Sequence, residues 1–179
     1  MVRRLQRWVR REPGLVCRLI GLTLAIVIEH GYYLTAATTP VDHWTVMSTM
    51  AIWVAVSWVC QIVLNRGTAP AVIPFVWAGA DAVLFTILVM LAAEPRELLI
   101  VGYPLLIVAA GFWVRVRLVS FMTVFCLASY ALVYFFGSDT VWPRHYPFLI
   151  GGIIALVGGF VGYQVHRLRV LSRYFDRGR

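Results

Sequence analysis

Residues 98–136 read LLIVGYPLLIVAAGFWVRVRLVSFMTVFCLASYALVYFF, and two arginines near the middle, Arg115 and Arg117, decide what this stretch is. A hydrocarbon core about 30 Å thick is crossed by about 20 helical residues, and this run is about twice that length. It therefore crosses twice and folds back at Arg115-Val116-Arg117, giving predicted spans at Leu98–Val114 and Leu118–Phe136. Working outward, comparable apolar runs lie at Cys17–Thr35, Trp44–Leu64, Val72–Ala93 and Phe148–Val165. Turn chemistry separates them at Thr39-Pro40-Val41-Asp42, Asn65-Arg66-Gly67, Glu94-Pro95-Arg96-Glu97, Gly137-Ser138-Asp139 and Trp142-Pro143-Arg144. The fold class is an all-α integral membrane protein, a bundle of six transmembrane helices.

Composition agrees with that class. The 179 residues are 61% hydrophobic and only 13% charged, too little polar surface to cover a water-soluble fold. Six spans leave almost nothing for a soluble domain. The predicted organisation is a basic amphipathic segment at 1–16, a transmembrane domain at 17–166 and an Arg-rich helical tail at 167–179. No small-x-small cleavage site closes the first apolar segment, so it is expected to stay in the chain as a span and not to be removed as a signal peptide.

Arginine placement predicts orientation. All 16 basic residues are Arg, and fourteen fall in the N-terminal segment, the second and fourth loops and the tail, leaving Arg96 and Arg144 on the other side. Loops rich in positive charge stay cytoplasmic, so both termini are expected in the cytoplasm of a bacterium, with the chain in its inner membrane. The net charge of +8 is thereby accounted for by topology and by attraction to anionic lipid at the inner leaflet, not by nucleic acid. Tyr32, Tyr33, Trp44, Trp142 and Tyr146 on one side, and Trp8, Trp77, Trp113 and Tyr163 on the other, read as interfacial belts.

Ionisable groups within a span are costly and mark candidate sites. Asp81 stands about ten residues into the third span, among small neighbours that allow a close interhelical hydrogen bond. Glu29 and His30 lie in the outer third of the first span, and His43 and His145 fall on the same side. Gathered on one side they could form a metal or proton-sensing site, but they lack metal-ligand spacing and no pair stands at i, i+4 on one helix; His166 stands alone on the other side, which argues against haem, and no metal or cofactor is expected. Cys17, Cys60 and Cys126 read as reduced packing residues.

The sixth span carries Gly151, Ala155, Gly158 and Gly162 on one helical stripe, a groove for close packing within the bundle or for a second copy. Past it, Val165, Leu168, Leu171 and Phe175 recur between arginines, so the span is expected to run on as an amphipathic helix. Pro104 is expected to kink the fourth span. No phosphate-binding loop, kinase motif, GxSxG or HExxH occurs. The expectation is a chain without catalytic residues.

Three stretches, Trp77-Ala78-Gly79-Ala80-Asp81-Ala82, Val101-Gly102-Tyr103-Pro104-Leu105-Leu106-Ile107-Val108-Ala109 and Arg115-Val116-Arg117-Leu118-Val119, precede the closing Leu168–Phe175 segment. In that order they resemble the six-helix membrane module at the C-terminus of planctomycete-type bacterial serine/threonine protein kinases. More distantly the layout is similar to the multi-span input domains of some bacterial histidine kinases. The resemblance covers roughly the last 100 residues and implies a membrane anchor or sensory input for a cytoplasmic kinase. It carries no kinase catalytic or ATP-binding residue onto this chain. The expected partners are the bilayer, anionic lipid, a cytoplasmic kinase or a second copy. The alternative is a small transporter or channel with a polar pathway through Asp81 and Glu29.

Overall fold

In a computed structural model of the chain, residues 40–65, 71–91, 99–136 and 145–177 are described, with scattered residues between 21 and 35. Every regular element among them is helical. The elements are α1 (Pro40–Asn65), α2 (Ile73–Leu91), α3 (Gly102–Gly111), α4 (Val116–Phe136) and α5 (Tyr146–Arg177). Four helical stretches are long and apolar enough to cross a membrane: His43–Leu64, Ile73–Leu91, Val116–Phe136 and Tyr146–Tyr174. The chain is thus an α-helical protein of multi-pass membrane character. The predicted segment 1–16 lies outside the described residues, as does most of Cys17–Thr35, whose described positions from Gly21 to Leu34 are helical.

Turn chemistry misplaces one boundary, and the predicted fourth span is interrupted beside the proline expected to kink it. Pro40, Val41 and Asp42 were assigned to a loop, but α1 begins at Pro40. Proline suits that first position, because its missing N–H would have no partner inside the helix and its φ is already helical. In the predicted fourth span, α3 has only 10 residues. Leu99 and Ile100 are helical, Val101 keeps helical angles at φ −58° and ψ −20°, and the break falls there. Pro104 supplies the reason: it has no N–H to give the carbonyl of Ile100 four residues back. The proline interrupts the ladder at the start of α3.

The chain divides into two units, Met1–Ala69 and Pro70–Arg179. In the second, successive helices run antiparallel. Trp77, early in α2, meets Trp113, just past α3, at a ring-centroid distance of 5.9 Å, while Thr86, late in α2, meets Tyr103, early in α3, at 3.1 Å. A β-carbon on Gly151, Gly158 or Gly162 would touch Leu127, Thr123 or Val119 respectively, so α5 descends along α4 in reverse order. The core between these helices holds Trp77, Tyr103, Ile107, Leu118, Met122, Cys126 and Ile154. Trp77, read as a belt residue, is 1% exposed and belongs to this core. Its place near the start of a span suggests an interface, but Trp113 folds over it.

Candidate functional site

Two places in the second unit gather polar groups: the contact of α2 with α3, and the turn joining α3 to α4. The buried face of α2 comprises Pro74, Trp77, Ala78, Asp81, Ala82, Phe85, Thr86, Leu88 and Val89, a helical stripe that carries its two polar members inward. Asp81 is 2% exposed and takes part in an interaction within the structure. One turn past Ala82, the Thr86 hydroxyl donates to the Ala82 carbonyl at 2.6 Å. A threonine has one hydroxyl hydrogen, so the 3.1 Å contact with Tyr103 is a bond donated by the tyrosine. The chain of hydroxyls therefore ends on a backbone carbonyl, which accepts a hydrogen bond but does not relay a proton. The Cys126 thiol completes the group by donating to the Tyr103 carbonyl at 3.8 Å.

Close packing brings these groups together. A β-carbon on Gly102 would enter the ring of Phe85, so the start of α3 lies directly on that ring. Phe85 and Tyr103 then meet edge to face, with centroids 5.0 Å apart and planes at 89°. That geometry sets the electropositive edge of one ring against the negative face of the other.

The α3–α4 turn is built differently. Val114 has φ of 50°, a left-handed conformation rare for a β-branched residue, and its N–H closes on the carbonyl of Gly111 at 2.9 Å. The Arg115 carbonyl then accepts from Leu118 and Val119 and starts α4. The Val114 carbonyl, turned outward, accepts from Nε of Arg169 on α5. This bond ties the turn to the last helix across 55 positions of sequence. Arg115, Arg117 and Arg173 are exposed around it.

The other sequence-predicted residues are placed as follows. His30 is exposed; His43 is buried, and their rings approach to 5.6 Å, with Tyr33 stacked on His43 at 4.1 Å. Glu29 lies outside the described residues. Gly151, Gly158 and Gly162 face α4, whereas Ala155 is exposed and Ile154 is buried in its stead. The cause is α3: Val161 and Val165 lie against Gly111, so α3 covers the Ile154 flank of the stripe and leaves the Ala155 flank open. Cys126 is buried, Cys60 half-buried, and both are reduced. Among the described residues no three His, Cys, Asp or Glu side chains gather as a metal site.

At the far ends of α4 and α5 an open groove of about 460 Å³ is lined by Leu127, Tyr134, Phe135, Pro147 and Phe148, with the Tyr130 ring at its floor. The Tyr130 hydroxyl is buried, closed off from the groove, and makes no hydrogen bond among the described residues.

Sequence reasoning found Asp81 through its charge but missed Thr86, Tyr103 and the Arg169 tether. Thr86 lies four residues past Ala82 and eight past Ala78 on the small-residue stripe of α2, and that spacing, not its distance from Asp81, points it inward. Nothing in sequence spacing connects Arg169 to Val114. Comparison with protein-family models, with curated proteins and with solved structures finds no match for this chain.

Proposed function

We propose that this chain is a non-enzymatic membrane module that anchors, and senses for, cytoplasmic signalling by a serine/threonine kinase. Its spans number six, with Cys17–Thr35 and Leu98–Val114 added to the four long helices, and both termini are cytoplasmic in a bacterial inner membrane. The observation that carries the reading is α5, 32 residues without a break, apolar through Val165 and rich in arginine beyond it. Such a helix joins a packed membrane core to the aqueous side by one continuous element, as an anchor or input module requires. The interior hydroxyl chain supports the same reading, since it terminates on the Ala82 carbonyl instead of continuing as a polar path. Any stimulus is lipid, hydrophobic or mechanical in kind, because the predicted outer loops are short.

The test is topological and then genetic. Protease added to intact right-side-out spheroplasts should spare epitope tags at both termini and cut them after lysis. Tags cut in intact spheroplasts would end the anchor reading. A kinase domain encoded immediately upstream, and its recovery with the tagged chain from solubilised membranes, would establish the signalling partner.

A further inference from the structure

The geometry points to a binding site for the phosphate headgroup of an anionic phospholipid, formed by the α3–α4 turn and the segment of α5 that crosses it. The inference rests on the membrane-anchor reading above and adds a defined ligand and place to it. Arg169 is held to the turn by its bond to the Val114 carbonyl. That bond uses Nε and leaves the two terminal nitrogens of the guanidinium, each with N–H donors, directed beyond the tether. Arg115 follows Val114 in the chain and is exposed, as is Arg117. Arg173 stands one helical turn past Arg169 on the same face of α5, also exposed. Four guanidinium groups thus belong to one corner of the unit.

Nothing among the described residues neutralises them. None of the four has an ion pair there, the first turn of α4 contains no acidic residue, and Asp176 is the single acid in residues 165–179 beside five arginines. Like charges so placed repel unless an anion sits between them, and a guanidinium fork matches phosphate oxygens.

The surroundings decide which anion. Exposed apolar side chains flank the arginines: Phe112 and Val114 on the turn, Leu168, Leu171 and Tyr174 on α5. A soluble phosphate gains nothing from such a border, and a nucleic acid gains only base stacking on Phe112 and Tyr174, leaving the aliphatic side chains unused. A phospholipid uses them, because its acyl chains lie against the apolar side chains while its phosphate meets the arginines. Basic pockets between membrane helices on the cytoplasmic side bind headgroups in this manner.

The experiment uses the full chain purified in a zwitterionic detergent and native mass spectrometry with added phosphatidylglycerol or phosphatidylcholine. Wild type should retain one phosphatidylglycerol in preference to phosphatidylcholine. R115Q/R173Q should weaken that retention about 25-fold, at about five-fold for each arginine. The control R96Q/R144Q removes equal charge from the two loops predicted on the opposite side of the membrane and should change it less than two-fold. Equal loss in the control, no headgroup preference in wild type, or equally tight binding of inorganic phosphate or an RNA oligonucleotide would each overturn the site. Carbonate extraction of the same variants separates the two readings. Membrane-retained protein without headgroup preference sinks the site alone, whereas release into the supernatant sinks the anchor as well. Should R115Q/R173Q fail to fold, R115K/R173K, which keeps charge and loses the fork, is expected to weaken retention, and unchanged retention by it counts against the site.

Discussion

Gly158 lies so close to Thr123 that a β-carbon on the glycine would overlap the threonine Oγ1 and Cγ2 atoms. Thr123 does not swing aside freely: it is β-branched, and its hydroxyl donates to the Val119 carbonyl at 2.8 Å. Gly158→Ala should therefore cost about 1–3 kcal/mol by overpacking. Gly159, with nothing within 4 Å, is the control, and Gly159→Ala should leave stability unchanged or raise it by up to about 1 kcal/mol. Unfolding in mixed micelles titrated with dodecyl sulfate measures both. Thr123→Ala in the Gly158→Ala background should recover part of the loss; failure to do so would show the contact is not the cause.

The Thr86–Tyr103 pair predicts an asymmetry. Tyr103→Phe leaves Thr86 bonded to Ala82 and should cost only about 0.6 kcal/mol, a usual value for one interhelical hydrogen bond in a membrane protein. Thr86→Val leaves the Tyr103 hydroxyl buried without its acceptor and should cost more, about 1–3 kcal/mol. A double-mutant cycle in the same unfolding assay checks the order. Equal single costs would mean the hydroxyl chain runs in the other direction.

Strain at the turn is also measurable. Val114 at φ 50° carries about 1–2 kcal/mol that a glycine there would not. Part of this is offset by the greater freedom of glycine in the unfolded chain. Val114→Gly should raise stability by up to about 1 kcal/mol, while Val114→Ala, which keeps a β-carbon, should not. Thermal unfolding followed by circular dichroism distinguishes them.

Asp81 separates an anchor from a transporter. Asp81→Asn keeps shape and hydrogen-bonding capacity, so an anchor keeps its fold and has no flux to lose in proteoliposomes. A flux of protons or small solutes present in wild type and abolished by Asp81→Asn would instead favour transport. Asp81→Leu should cost about 1–3 kcal/mol, because it removes a buried polar group from its partner.

What the sequence could and could not tell follows from the range of each cause. Long apolar runs are a local property, so the helices at Trp44–Leu64, Val72–Ala93 and Leu118–Phe136 appear within a few residues of where hydropathy sets them. The glycine stripe on α5 was legible for the same reason. That Ile154 and not Ala155 completes it was not, because α3 decides which flank is covered and lies some 45 residues away in sequence. The burial of Trp77 by Trp113, and the Arg169 tether, depend likewise on contacts between distant segments. Asp81 stood out by charge, whereas Thr86 and Tyr103 are ordinary residues in membrane helices until their hydroxyls are seen to meet.

The continuity of α5 has a mechanical meaning. A single helix bends little over a few turns, so the part beyond Tyr163 acts as a lever whose pivot is the seam where glycine lies against α4. From Tyr163 to Tyr174 the lever is about 17 Å long, and a 10° change in tilt at the seam carries its end about 3 Å. The Arg169 bond grips this lever near its middle. Under the proposed anchor reading, a tilt imposed by bilayer thickness or lateral pressure would arrive at the basic end as a sideways step.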